Sequence, residues 1–196
     1  MVRRKPERVD TEIIKIPRDF YALHHFVTLT ADVMFVNGIP FLTTLSRKIQ
    51  LRTAEFLPSR TASQLSKSLK KVMRLYYRGG FNVRVILMDM KFVKLADEFD
   101  VVEINTTAAR EHVGEIERSH RTLKERARCV VAELPYNTLQ MQMRIHLVYF
   151  VVLWLNAFPS KKGISDNLSP REIVTRKNIN FIKHCKALFD SCVKAS

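Results

Sequence analysis

The chain has 196 residues, 46% of them hydrophobic and 27% charged, which supplies one domain with a core of its own and excludes wholesale disorder. Lys and Arg number 33 against 19 Asp and Glu, a formal charge of +14, and so large an excess favours a polyanionic partner because neutralised phosphates release their condensed counterions. Cys129, Cys185 and Cys192 form no Cys-x-x-Cys pair, which excludes a disulfide scaffold or a zinc ribbon and reads as reduced thiols of an intracellular protein.

Residues 1–22 read as a basic arm. No apolar stretch follows its Arg3-Arg4-Lys5 run directly, so it does not serve as a secretory signal, and the run fits a nuclear address. A strand is expected over 29–36, then Asn37-Gly38, then a strand over 39–46. An Asn-Gly pair between apolar runs marks a type I′ hairpin, whose two central residues both need positive φ. Residues 50–57 supply a third antiparallel strand. A helix capped by Ser59 follows, with Leu65, Leu69, Val72, Met73 and Tyr76 on its apolar face. Lys67, Lys70, Lys71, Arg74 and Arg78 form a charged face, most simply a solvated one, and Gly79-Gly80 closes the helix. A buried strand over 83–88 leads to Asp89. A short helix over 92–99, a short strand over 101–105, a loop over 106–112 and helices over 113–133 and 138–157 complete the order. The most apolar run, 147–155, is too short to span a bilayer. This is an α/β layer with antiparallel strands at one side and a parallel crossover in the middle.

Three carboxylates stand out as a divalent-metal site acting on nucleic acid. Asp32 interrupts an apolar strand, and Asp89 follows a buried strand at the edge where open α/β sheets carry their sites. Glu117 lies at the border of the stripe Val113, Ile116, Leu123, Ala127, Val130 and Val131, with Arg121 and Lys124 along the same ridge, whereas Glu115 points away into solvent. Hard oxygen ligands suit Mg²⁺, and two such ions stabilise both the attacking and the leaving oxygen of a phosphoryl displacement. Each acid also has an ordinary reading: a solvent-facing strand position for Asp32, a helix cap for Asp89, and an ion pair with Arg121 for Glu117.

The run from Gly114 to Arg128 resembles the Gly-x-x-Glu-Arg-x-x-Arg-Thr-Leu-x-Glu-x-Ala-Arg signature of copia-type retrotransposon integrases. Residues 39–48 resemble that family's second strand with its terminal Ser-Arg-Lys, and the stretches 154–161 and 169–173 resemble its later Leu-Asn-Arg-x-Pro and Thr-Pro-Tyr-Glu segments. The resemblance implies an RNase H-like fold, a five-stranded mixed sheet flanked by helices. The first three strands are antiparallel and the last two parallel. It carries Asp32, Asp89 and Glu117 over as a catalytic Asp-Asp-Glu triad holding Mg²⁺ or Mn²⁺ for DNA 3′-end processing and strand transfer. It further implies DNA contacts by Arg121 and Lys124, joined by Arg118 and Arg110, with element ends and target DNA as partners. A homo-oligomer and no membrane partner are expected. The chain then divides into the arm, a catalytic core over 23–160 and an extension over 161–196 that packs on or follows the core.

The sequence departs from the family pattern in Met90-Lys91 after the second Asp, in the short 27-residue interval from Asp89 to Glu117, and in lacking a His-His-Cys-Cys module before the core. An alternative is therefore a repurposed nucleic-acid-binding or oligomerisation module on the same scaffold. Ribonuclease H is the nearest enzymatic rival, but residues 60–78 hold no acid to supply the ligand its first helix provides.

Overall fold

The computed structural model describes residues 13–89, 99, 102–105, 109–135, 138–179, 181 and 189, with backbone alone for 109–113. The sheet order is β3-β2-β1-β4-β5. Its strands are β1 (Phe26–Val36), β2 (Ile39–Ser46), β3 (Arg52–Phe56), β4 (Asn82–Leu87) and β5 (Glu103–Asn105). The β1–β2 and β2–β3 pairs are antiparallel, and β4 runs parallel to both β1 and β5. This is the five-stranded mixed sheet, flanked by helices, of the RNase H-like fold. Asn37 and Gly38 turn β1 into β2 with φ of 47° and 79°, as a type I′ turn requires.

Strand alternation splits the core into two layers. Val27, Leu29 and Ala31 of β1 face α2 (Ala62–Arg78) and α5 (Pro170–Thr175), where Leu69, Val72, Tyr76, Ile173 and Val174 are buried. Met34, Phe41 and Ala54 face the other way, toward α3 (Ala109–Ala132) and α4 (Met141–Leu155). The charged face expected on α2 is exposed, with Lys71 Nζ 2.6 Å from Glu55 Oε2. Tyr76 is wholly buried among the apolar residues of that helix, as its spacing implies.

Several boundaries differ from expectation for local reasons. The cap of α2 is Thr61, whose hydroxyl accepts the Gln64 N–H, rather than Ser59. Helix α3 starts at Ala109, so 109–112 are helical where the sequence suggests a loop. Helix α1 (Arg18–His24) follows Pro17 and carries Asp19 in its first turn, both helix-start signals. The arm expected over 1–22 is thus packed from residue 13: Ile13 bridges Lys177, and Tyr21 donates to the Gly79 carbonyl at 2.9 Å. Helix α5 is missing from the expected order, although Ser169 and Glu172 form a full capping box around Pro170. The helix expected over 92–99 lies largely outside the described residues, as do Met90 and Lys91.

Candidate metal and nucleic-acid site

Asp32 sits on the central strand with the parity of Thr30 and Met34, so its side chain is on the α3 side of the sheet. It is half-buried, and its Oδ1 accepts the Val33 N–H at 2.7 Å. On the neighbouring parallel strand Leu87 is the register partner of Thr30. Asp32 lies two residues farther along β1, and Asp89 two residues past the end of β4. Asp89, also half-buried, follows the carboxyl end of β4.

Helix α3 is seated on this face by Ile116, Leu123 and Ala127, all buried. Its polar anchor is His120. Thr43 is the register partner of Asp32 on β2. Thr43 Oγ1 donates to the Asp32 carbonyl at 2.9 Å and stands 2.6 Å from His120 Nε2. The carbonyl can only accept, so the single hydroxyl proton is committed there and the imidazole must donate to Oγ1. Burial, reinforced by the Lys124 charge and opposed by that of Glu117, lowers the His120 pKa to about 4. The ring is therefore neutral at pH 7 with its proton on Nε2. Neither His120 nor Thr43 stands out in the sequence, although His120 falls between Ile116 and Leu123 on the buried side of the helical period.

The two acids of α3 take opposite sides. Glu115 is half-buried and pairs with Arg47 Nε at 3.1 Å, contrary to the expectation that it points into solvent. It lines a cleft with Arg118, Ser119, Gln50 and Arg52, toward β3. Glu117, two residues on, is turned by roughly 200° about the axis, toward the β1–β4 side of the helix. It is exposed, and Arg121 and Lys124 follow on that side. Arg118 thus parts from Arg121 and Lys124, while the Arg110 side chain lies outside the described residues.

Carboxylates are the donors that Mg²⁺ and Mn²⁺ prefer, so the chemistry of Asp32, Asp89 and Glu117 fits such an ion. Among the described residues, however, no three Asp, Glu, His or Cys side chains are gathered into a group able to hold one. No helix among them is long and apolar enough to cross a membrane.

No family profile matches the sequence, and no curated protein matches it either. Solved structures do. The catalytic core domain of BIV integrase superposes with a TM-score of 0.52 at 17% identity, covering 76% of this chain and 93% of that one. The HTLV-2 integrase catalytic core domain, solved in complex with magnesium in a trimeric form, gives 0.53 at 11% identity over 75% and 95%. The chain has the fold of retroviral integrase catalytic cores.

Proposed function

We propose that this protein is an integrase-type catalytic domain of copia-like retrotransposon origin, a polynucleotidyl transferase that processes DNA 3′ ends and joins them to target DNA. The observation that supports the reading is that Asp32 on β1 and Asp89, just past β4, each lie two residues beyond the register partners Thr30 and Leu87 of adjacent parallel strands. Asp32 and Asp89 would hold Mg²⁺ or Mn²⁺ from the sheet, and Glu117 would close the site from α3. An ion held there would supply Lewis-acid stabilisation of the attacking and leaving oxygens of a phosphoryl displacement. Arg121 and Lys124, one and two turns beyond Glu117, would hold DNA phosphates beside the carboxylates. His120 ties α3 to β2 through Thr43, and in this reading it would keep Glu117 turned away from the β3 cleft. The assembly is a homo-oligomer acting in the nucleus, where its DNA partner is found.

Among the described residues the acids are not gathered into one group, which also favours a second reading, a scaffold that binds nucleic acid without cutting it. A strand-transfer and disintegration assay with Mn²⁺ separates the two. Joined product from the native protein and none from Glu117→Gln supports the transferase; no product from either, with DNA binding intact, leaves the binding module.

A further inference from the structure

Arg52, the first residue of β3, is a part-buried cation without a counter-ion among the described residues. Its backbone is clamped by the Asn156 side chain, which accepts the Arg52 N–H at 2.8 Å and donates to its carbonyl at 2.7 Å. The Arg52 Nε is buried with no hydrogen-bond partner, and Nη1 reaches only the Gln50 carbonyl, at 3.5 Å. No carboxylate of the described residues pairs with it. Burial lowers its pKa from the ordinary arginine value. An enclosed charge without a partner is costly, and such charges are normally met by an anion.

The space beside it supplies the rest of an anion site. The cleft between β3 and α3 is lined by Arg52, Arg118 and Lys162, with the Ser119 and Thr122 hydroxyls on one wall. Glu115 is its one acid among the described residues, and Arg47 already neutralises it at 3.1 Å. Three cations therefore line a cleft of about 180 Å³ whose one described acid is already paired. That volume is below the roughly 300 Å³ at which pockets for drug-sized ligands begin, so a small ion fits where a nucleotide does not. Two guanidinium forks and an ammonium match an acceptor with several oxygens at fixed angles.

We propose that this cleft is a binding site for a phosphate-type oxyanion, held by Arg52, Arg118 and Lys162. The oxyanion is either a phosphodiester of a nucleic-acid backbone or free phosphate. The site lies on the side of α3 away from Glu117 and is independent of any metal at the aspartates.

Thermal unfolding in inorganic phosphate, compared with sodium chloride of equal ionic strength, tests it. Phosphate raises the melting temperature by several degrees where chloride does not. The increment disappears in Arg52→Met and in the double variant Arg118→Ala/Lys162→Ala, and it survives in Asp89→Asn. Arg52→Met, which removes the unpaired charge, melts in chloride no lower than the native protein. An equal rise in chloride, or an increment that persists in both cleft variants, overturns the proposal. Loss of the increment in Asp89→Asn overturns it as well, since the effect then belongs to the carboxylates. Fluorescence anisotropy with a short duplex identifies the source. Weaker duplex binding by Arg118→Ala/Lys162→Ala marks a backbone phosphate, and unchanged duplex binding with the phosphate increment lost marks the free ion.

Discussion

His120 and Thr43 lie 77 positions apart in the chain, yet Nε2 and Oγ1 stand 2.6 Å from each other, and Thr43 passes its own proton to the Asp32 carbonyl at 2.9 Å. One hydrogen-bonded chain thus ties the helix bearing Glu117 to the strand bearing Asp32. Replacing His120 by Ala leaves Thr43 without its donor and opens a cavity. The expected loss is about 1–3 kcal/mol in urea unfolding. His120→Asn, which can still donate, should recover part of it; a loss below about 0.5 kcal/mol for His120→Ala would dispose of the anchor.

The same imidazole makes stability depend on pH. Its folded pKa, about 4, is below the ordinary 6.5, so between those values the unfolded chain binds more protons than the native one. The stabilisation is complete above pH 6.5, is lost as pH falls toward 4, and changes no further below that. At ~1.4 kcal/mol per unit its upper bound is roughly 3 kcal/mol. Denaturant midpoints measured from pH 7.5 to 4 should show this slope, flattened in His120→Asn. Identical slopes in the two proteins would assign the effect to other groups.

Asp32 on β1 and Asp89 just past β4 carry like charges at the same end of adjacent parallel strands, and a dication between them would relieve their repulsion. Millimolar Mg²⁺ or Mn²⁺ should therefore raise the melting temperature, by about 2.7 kcal/mol of stabilisation at a hundred times the dissociation constant. Asp89→Asn should abolish the rise. An equal rise in that variant would place the ion elsewhere.

Arg121 and Lys124 lie on the Glu117 side of α3 and form no ion pair with a described acid. Changing both to Ala should weaken duplex binding and lower the slope of log affinity against log salt by about 2, one for each phosphate left unneutralised. A slope equal to that of the native protein removes them from the interface.

Asn156 joins the end of α4 to the edge strand through two side-chain bonds to the Arg52 backbone, at 2.8 and 2.7 Å. Asn156→Ala leaves both backbone groups without that partner. At about 1 kcal/mol for each bond, the expected cost is ~2 kcal/mol by calorimetry. Asn156→Asp, which keeps only the acceptor, should fall between; a neutral Asn156→Ala would mean that another group takes over the strand edge.

Much of the sheet was legible in the chain because its signals are local. Asn37-Gly38 fixed the hairpin by its φ requirement. The period of Ile116, Leu123 and Ala127 likewise identified the buried stripe of α3. Short elements were harder. Helix α5 spans Pro170–Thr175, too few residues to show a period, and only its capping box marks it. Helix α1 reads as part of a polar arm because the groups its Tyr21 contacts, Gly79 and Phe81, lie far along the chain.

The sequence by itself determined the order of the five strands and of helices α2, α3 and α4, the charge that seeks a polyanion, and the candidacy of Asp32, Asp89 and Glu117, since all of these follow from residue type and period. Tertiary structure alone decided that Glu115 pairs with Arg47, that His120 is a neutral donor locked onto Thr43, and that the Arg52 Nε is buried without a partner. Those outcomes depend on which distant groups meet and how much water is left between them. A side chain's charge state and partner are properties of its surroundings, and the surroundings exist only once the sheet and α3 have packed.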